Sequence, residues 1–280
     1  MLLALHARRS ASSIAAWRQV HPARRQAVIL TATDLYRDID CDPAAQSSLR
    51  LADALAVRQE RGPSALAGDL RARVRVTIQS TTSRQRLPKA ADTLRALMVG
   101  HLRDEKAPEA RFAAARLLAG HHDIGIDHAG DALDPRLGQA APATMAACAN
   151  HRWLGGQPYA ATRRRIQRAH LLVHASRIEA GAHAVMEAVC SGTPVIASAI
   201  DGIIGMRGGD FAGYFACGDA AALATLLVRC RASQRQADGL LAQLAAQCRQ
   251  RARLFAPAAE RSAVRQLVAE LLARPVEGAA

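Results

Sequence analysis

Two glutamates, Glu179 and Glu187, stand eight residues apart, with Gly181 and His183 between them and Ser191-Gly192-Thr193-Pro194 just beyond. The segment Leu171–Ser198 reads as strand, loop, helix, turn and strand. Ala182, Val185, Met186 and Val189 recur at i, i+3, i+4 and i+7, so one stripe of the helix faces a sheet. Gly192 marks its C-terminal stop. A helix N-terminus at Gly181, Ala182 and His183 offers unpaired backbone N–H groups and the positive end of the helix dipole, which suits a diphosphate. Glu179 lies just before that terminus, where a carboxylate is unfavourable unless it accepts hydrogen bonds from sugar or ribose hydroxyls. Glu187, two turns deeper, can hold a second set. A plainer reading fits the spacing equally: an acidic neighbour of a surface helix and an exposed Glu187 paired with His183.

Positioning such a pair requires strands behind it. Short apolar runs recur between alanine-rich helical stretches: Leu2–His6, Val28–Thr31, Leu55–Val57, Val74–Ile78, Leu97–Gly100, Ile124–Ala129, Leu171–Ala175 and Pro194–Ser198. This alternation predicts an α/β fold of parallel sheets flanked by helices. A polar stretch ending in proline, Ser80–Pro88, divides the chain into residues 1–85 and 86–255, two Rossmann-like domains. The first opens on Met1-Leu-Leu-Ala-Leu-His6 without the usual strand and glycine-rich turn, so the N-terminal domain reads as incomplete, truncated at its start. Residues 256–280 form a third segment. Val264, Leu267, Val268, Leu271 and Leu272 give it a helical stripe that can pack back on the first domain.

Composition sets the outer limits. Half of the 280 residues are hydrophobic, enough for a large core. The formal charge is +13, carried almost wholly by arginine, since Lys89 and Lys106 are the only lysines among 37 basic residues. We read this as compositional bias on solvated helix faces, the run Arg163–Arg165 included. Aromatics at 3% supply few stacking platforms, so nucleic acid is not an expected partner. The six cysteines are scattered without zinc-ligand spacing, and no run approaches a membrane span. A cytoplasmic protein with no stable membrane association is expected.

The Glu-x7-Glu pattern followed by Ser191-Gly192-Thr193-Pro194-Val195 resembles the motif of the family-four glycosyltransferases, which have the two-Rossmann GT-B fold. The resemblance implies that Glu179 contacts the sugar of a nucleotide-sugar donor and Glu187 its ribose. Gly100-His101-Leu-Arg103-Asp-Glu-Lys106 is similar to the family's diphosphate-binding turn, with His101 where the family has arginine and Arg103 two residues on. Lys106, Arg103 and His101 are therefore the candidate phosphate ligands, with Lys106, Arg103 and the helix terminus stabilising departing UDP.

A narrower similarity runs along most of the chain. His6-Ala-Arg8-Arg9-Ser10, Thr31-Ala-Thr33-Asp34-Leu-Tyr36-Arg37-Asp38 and Ser176-Arg-Ile-Glu179 resemble the selenosugar synthases of selenoneine biosynthesis. That resemblance implies transfer of a sugar from a UDP-sugar to selenophosphate, with formation of a carbon–selenium bond. Selenophosphate is a small anion, and Arg8, Arg9 and Arg37 on loops after strands are candidates to hold it. Glu179, His6 and Asp34 are the candidate catalytic groups. Asp38-Ile-Asp40 and Asp40-Cys-Asp42 spell Asp-x-Asp, a metal motif of another glycosyltransferase fold, but they fall in the first domain, so no metal and no cofactor is expected. A hydroxyl acceptor, or a protein that binds a nucleotide sugar without turnover, are the rival readings.

Overall fold

The structure, a computed structural model, describes residues 1–273. Its framework is two parallel sheets. The first contains β1 (Leu2–Leu5), β2 (Gln26–Ile29), β3 (Ala54–Val57) and β4 (Val74–Val76) in the order β1-β2-β3-β4. Between them run α1 (Ala11–Val20), a π-helical turn at Asp34–Asp38, α2 (Ile39–Cys41), α3 (Pro43–Leu51) and α4 (Gly68–Arg71). Local chemistry sets these boundaries. α3 begins where Asp42 accepts hydrogen bonds from Ala44 N and Ala45 N, with Pro43 in the first turn. All four residues of β3 are buried, as expected of a strand covered on both faces.

The second sheet contains β5 (Leu94–Val99), β6 (Ile124–Ala129), β7 (His151–Trp153), β8 (Leu171–His174), β9 (Val195–Ser198) and β10 (Tyr214–Phe215). Helices α5 (Pro108–Leu117), α6 (Pro135–Ala147), α7 (Tyr159–Arg168), α8 (His183–Val189), α9 (Asp201–Arg207), α10 (Ala220–Ala232), α11 (Leu240–Arg251) and α12 (Pro257–Ala273) alternate with and follow them. Strand order is β10-β9-β8-β5-β6-β7, so the winding direction reverses between β5 and β8. A doubly wound sheet leaves a crevice at such a reversal, outside the carboxyl ends of the strands.

The expected α/β class with two parallel sheets is what the chain adopts. All eight apolar runs contain strands, and two very short strands, β7 and β10, join them. β2 lies earlier than its apolar run because Thr31 leaves the sheet, its N–H and hydroxyl both bonding Asp34 Oδ2 at 3.0 and 3.1 Å.

The sheets are joined by residues 77–93, and the chain crosses back at residues 252–256 so that α12 lies on the first sheet. There Leu267 and Leu271 pack on Ala27, Ala54 and Ala56, while Arg75 Nε meets Glu270 Oε2 at 2.6 Å. Leu272 departs from the expected stripe and is exposed. The C-terminal part of the 256–280 segment, residues 274–280, lies outside the described residues. Among the described residues no helix is long and apolar enough to cross a membrane. Leu267→Ala or Leu271→Ala should each lower stability by about 2–5 kcal/mol in urea unfolding, because each leaves a cavity over small alanines.

Candidate active site

The loops after β5 and β8 flank the reversal in the second sheet, and each contributes one charge. A 3-10 turn at Asp104–Lys106, after the Gly100 loop, carries Lys106 inward. Its ammonium donates to Glu179 Oε1, from the loop after β8. The same oxygen accepts from His174 Nε2 at 3.1 Å and Ser176 Oγ at 3.0 Å. Glu179 is 7% exposed. Burial alone would raise its pKa, but the His174 hydrogen bond and the charges of His174 and Lys106 outweigh it and hold the carboxyl well below the usual range.

Close backbone packing sets this geometry. A side chain on Gly130 would collide with the Gly100 carbonyl, and one on Gly202 with the Glu179 carbonyl. His128 Nε2 lies 2.7 Å from that Gly100 carbonyl. Burial, reinforced by the Arg111 charge, lowers the His128 pKa to about 2, so a neutral imidazole donates this bond. The turn is thereby anchored from beneath.

Glu187 lies one helix deeper. Its Oε1 is 3.3 Å from both His183 Nδ1 and Arg163 Nη1, and the side chain is buried rather than exposed. Burial tends to raise its pKa, and hydrogen bonds from His183 and Tyr159 with the Arg163 charge bring it below the ordinary value. Arg163 corrects the reading of Arg163–Arg165 as a solvated face. It is fully buried, and also donates to Thr81 Oγ1 and Thr82 O at 2.7 Å each. Charge content alone gave no sign of this; position on the buried side of α7 decides it.

Across the cleft, the carboxyl ends of β1 and β2 bring together His6, Asp34, Arg8 and Arg37. His6 Nδ1 lies 2.5 Å from Asp34 Oδ1 and 3.4 Å from Arg9 N, and Nε2 lies 3.2 Å from Thr33 Oγ1. Asp34 is fully buried; Thr31 occupies its other oxygen. Asp38 completes the group, 3.9 Å from His6 Nε2, 3.3 Å from Arg8 Nε and 3.0 Å from Arg37 Nε. His6, Asp34 and Asp38 are close enough to share a cation. Protein donors already fill both Asp34 oxygens, while each Asp38 oxygen has an arginine beside it and the buried Oδ2 makes no hydrogen bond among the described residues. Of the Asp-x-Asp residues, Asp42 is spent on capping α3.

The two halves face each other. Arg37 Nη1 reaches Glu105 Oε1 at 3.5 Å, and Arg61 Nη1 reaches Asp201 Oδ1 at 2.9 Å. A cavity of about 360 Å³ between them is lined by Tyr36, Arg177, Glu179, Asp201 and Gly202 among others. Other expected residues stand apart. His101 is exposed and accepts from Asp131 N at 3.1 Å; Arg103, 4.0 Å from Glu105, and Arg9 are also exposed. Gly181 and Ala182 lie just before α8, with Ala182 as its N-cap. Sequence reasoning missed His174, Ser176, Thr33 and Tyr36. His174 and Ser176 did carry a signal, as polar residues at the carboxyl end of an otherwise apolar run.

The family model described as "Glycosyl transferases group 1" matches residues 79–253. The chain belongs to this family. The match covers the whole second sheet and leaves the first outside it. Solved structures share the fold: Anabaena Alr3699/HepE in complex with UDP-glucose at 14% identity, covering 97% of this chain and 79% of that one, TM-score 0.77; sucrose-phosphate synthase from Thermosynechococcus elongatus at 21%, covering 97% and 74%, TM-score 0.74. Staphylococcus aureus TarM, solved with UDP, is 11% identical over 89% of this chain at TM-score 0.71. This chain spans about half of TarM's length, 51%. A search of curated proteins returns no match.

The Arg163–Glu187 pair gives a direct test of this arrangement. Arg163→Leu should destabilise the fold by about 3–5 kcal/mol by leaving the buried Glu187 carboxylate without its guanidinium partner, while Arg163→Leu with Glu187→Leu should recover most of the loss. Urea unfolding of the two variants and the wild type measures both.

Proposed function

We propose that this group 1 glycosyl transferase takes a UDP-sugar as donor and transfers the sugar to selenophosphate. The observation that carries the donor half is the Lys106–Glu179 pair at the strand-order reversal. A lysine and a carboxylate locked together in a crevice are two recognition groups awaiting a ligand with both phosphate and hydroxyls. The diphosphate takes the lysine, freeing Glu179 to accept from the sugar, while Glu187 lies one helix away for the ribose. Crystal structures of HepE with UDP-glucose and of TarM with UDP support the choice of nucleotide.

The acceptor half rests on the first domain. Arg8 and Arg37, each about half exposed, border the cleft beside the His6–Asp34 dyad, and supply positive charge for a small anion. His6 Nδ1 faces Asp34, so Nε2 can accept a proton from an incoming acceptor. In the transfer, a selenium lone pair forms the bond to the anomeric carbon. The bond from that carbon to the β-phosphate oxygen breaks, and UDP leaves with the electron pair, its charge met by Lys106. The similarity of the His6, Thr31–Asp38 and Ser176–Glu179 segments to selenosugar synthases supports this acceptor over a hydroxyl.

Mass spectrometry of the protein incubated with UDP-N-acetylglucosamine or UDP-glucose and fresh selenophosphate tests both halves. A product with the selenium isotope pattern is expected, absent with Glu179→Ala. UDP affinity should fall about tenfold or more in Lys106→Met and stay unchanged in His6→Asn, which should lose transfer. UDP binding without a selenium product would overturn the acceptor, and UDP binding indifferent to Lys106 would overturn the donor site.

A further inference from the structure

The second of the two lysines lies far from the cleft. Lys89 belongs to the segment joining the two sheets and lines a cavity of about 590 Å³ beside Pro194 and His170, at the amino ends of β9 and β8. Arg86, Arg235 and Arg249 line the same cavity, against one carboxylate, Asp238. Among the described residues none of these four basic groups makes an ion pair. The half-buried Lys89 ammonium has instead the Thr193 hydroxyl at 3.5 Å, and Thr193 in turn donates to Ile166 O at 2.7 Å. Leu241 and Ala242, in the first turn of α11, line the same wall, the Leu241 N–H donating to Ser233 Oγ at 3.4 Å.

We propose that this cavity is a second anion-binding site, for a phosphorylated small molecule, distinct from the donor crevice. Three observations converge on it. First, the volume suits a small-molecule ligand, for which pockets of about 300–1,000 Å³ are usual. Second, four cations with one carboxylate leave a net positive hollow whose charge is not neutralised internally. Third, the chain's two lysines stand here and in the Asp104–Lys106 turn, and its other basic positions are arginine. An ammonium is a compact point charge on a flexible stem, suited to a phosphate oxygen in a confined space. Burial and the neighbouring Arg86 lower the Lys89 pKa to about 8, the behaviour of a cation lacking its counter-charge.

The site touches the donor crevice through one element. The Arg86 side chain covers Gly192 and Lys89 bonds Thr193, the residues that close α8, whose other end is the His183 turn. A ligand held there bears on the helix that carries Glu187.

Calorimetric titration with inorganic pyrophosphate tests the proposal, on protein first saturated with UDP so that the donor crevice is filled. An equivalent that depends on Lys89, and not on Arg8 or Arg37, should bind. Lys89→Met should weaken that step about tenfold or more, leaving UDP affinity unchanged, with Lys89→Arg falling between the two because it keeps the charge but not the compact ammonium. Exposed Arg235→Ala and Arg249→Ala provide second variants should Lys89→Met unfold on heating earlier than wild type. Diffuse binding to a +13 surface would barely notice one lost charge, so pyrophosphate binding unchanged in Lys89→Met overturns the proposal, as does absence of a second equivalent. The titration is repeated on Lys106→Met without UDP. Binding that still depends on Lys89 there upholds this site even if the donor reading fails.

Discussion

A carboxylate held at 7% exposure is costly unless positive charge and hydrogen bonds surround it, and Glu179 is where this constraint acts on the whole second domain. Its partners come from two strands that are adjacent in the sheet yet far apart in sequence, Lys106 after β5 and His174 and Ser176 at the end of β8. Such neighbours exist only because the strand order reverses at that point. The close approaches of Gly130 to the Gly100 turn and Gly202 to the Glu179 backbone follow from the same requirement. Each lets a loop sit where a side chain would push the charges apart. His128 extends the scaffold downward, since only a neutral imidazole is tolerated beneath the turn.

The opposite wall obeys a different constraint. His6 adopts φ +73°, a left-handed conformation that non-glycine residues avoid, at a cost of about 1–3 kcal/mol. The surrounding bonds over-determine it: His6 N donates to Ile29 O at 3.0 Å, Ser10 N to His6 O at 3.0 Å, and the ring to Asp34. The strained backbone turns the imidazole back over the end of β2, toward the guanidinium groups of Arg8 and Arg37. Each wall thus combines a buried carboxylate with a rigid set of donors, one on each domain.

The parallel sheets were legible because β-rich runs alternate with helical stretches, and a fully buried strand such as β3 has few other ways to read. Glu179, Glu187 and Lys106 stood out through the resemblance to the family-four motifs, since spacing alone fits a plain surface helix equally. What stayed hidden depended on contacts between distant segments. Arg163 looks like its neighbours Arg164 and Arg165 until Thr81, Thr82 and Glu187 are placed around it. His101 and Arg103 illustrate the converse: they lie in the right loop, but its 3-10 turn directs Lys106 inward and leaves them outside. β7 and β10 are too short for periodicity to register, and only pairing with β6 and β9 reveals them.

The chain crosses between domains twice, and the crossings are clasped. Thr81 N donates to Phe255 O at 3.0 Å, and Ser80 N and Oγ bond Glu260 Oε2 at 2.9 and 2.6 Å. One covalent connection would act as a swivel, leaving the two halves free to tumble about a point. A pair fastened side by side behaves as a door hinge, with one rotation soft and the twisting and sliding modes stiff. Since Arg163 bonds both Thr81 and Thr82 and pairs with Glu187, the pivot and the deep end of the crevice are tied together. On such a hinge Glu187 would stay near the axis, and the far rim, with Arg37 facing Glu105, would sweep the larger arc.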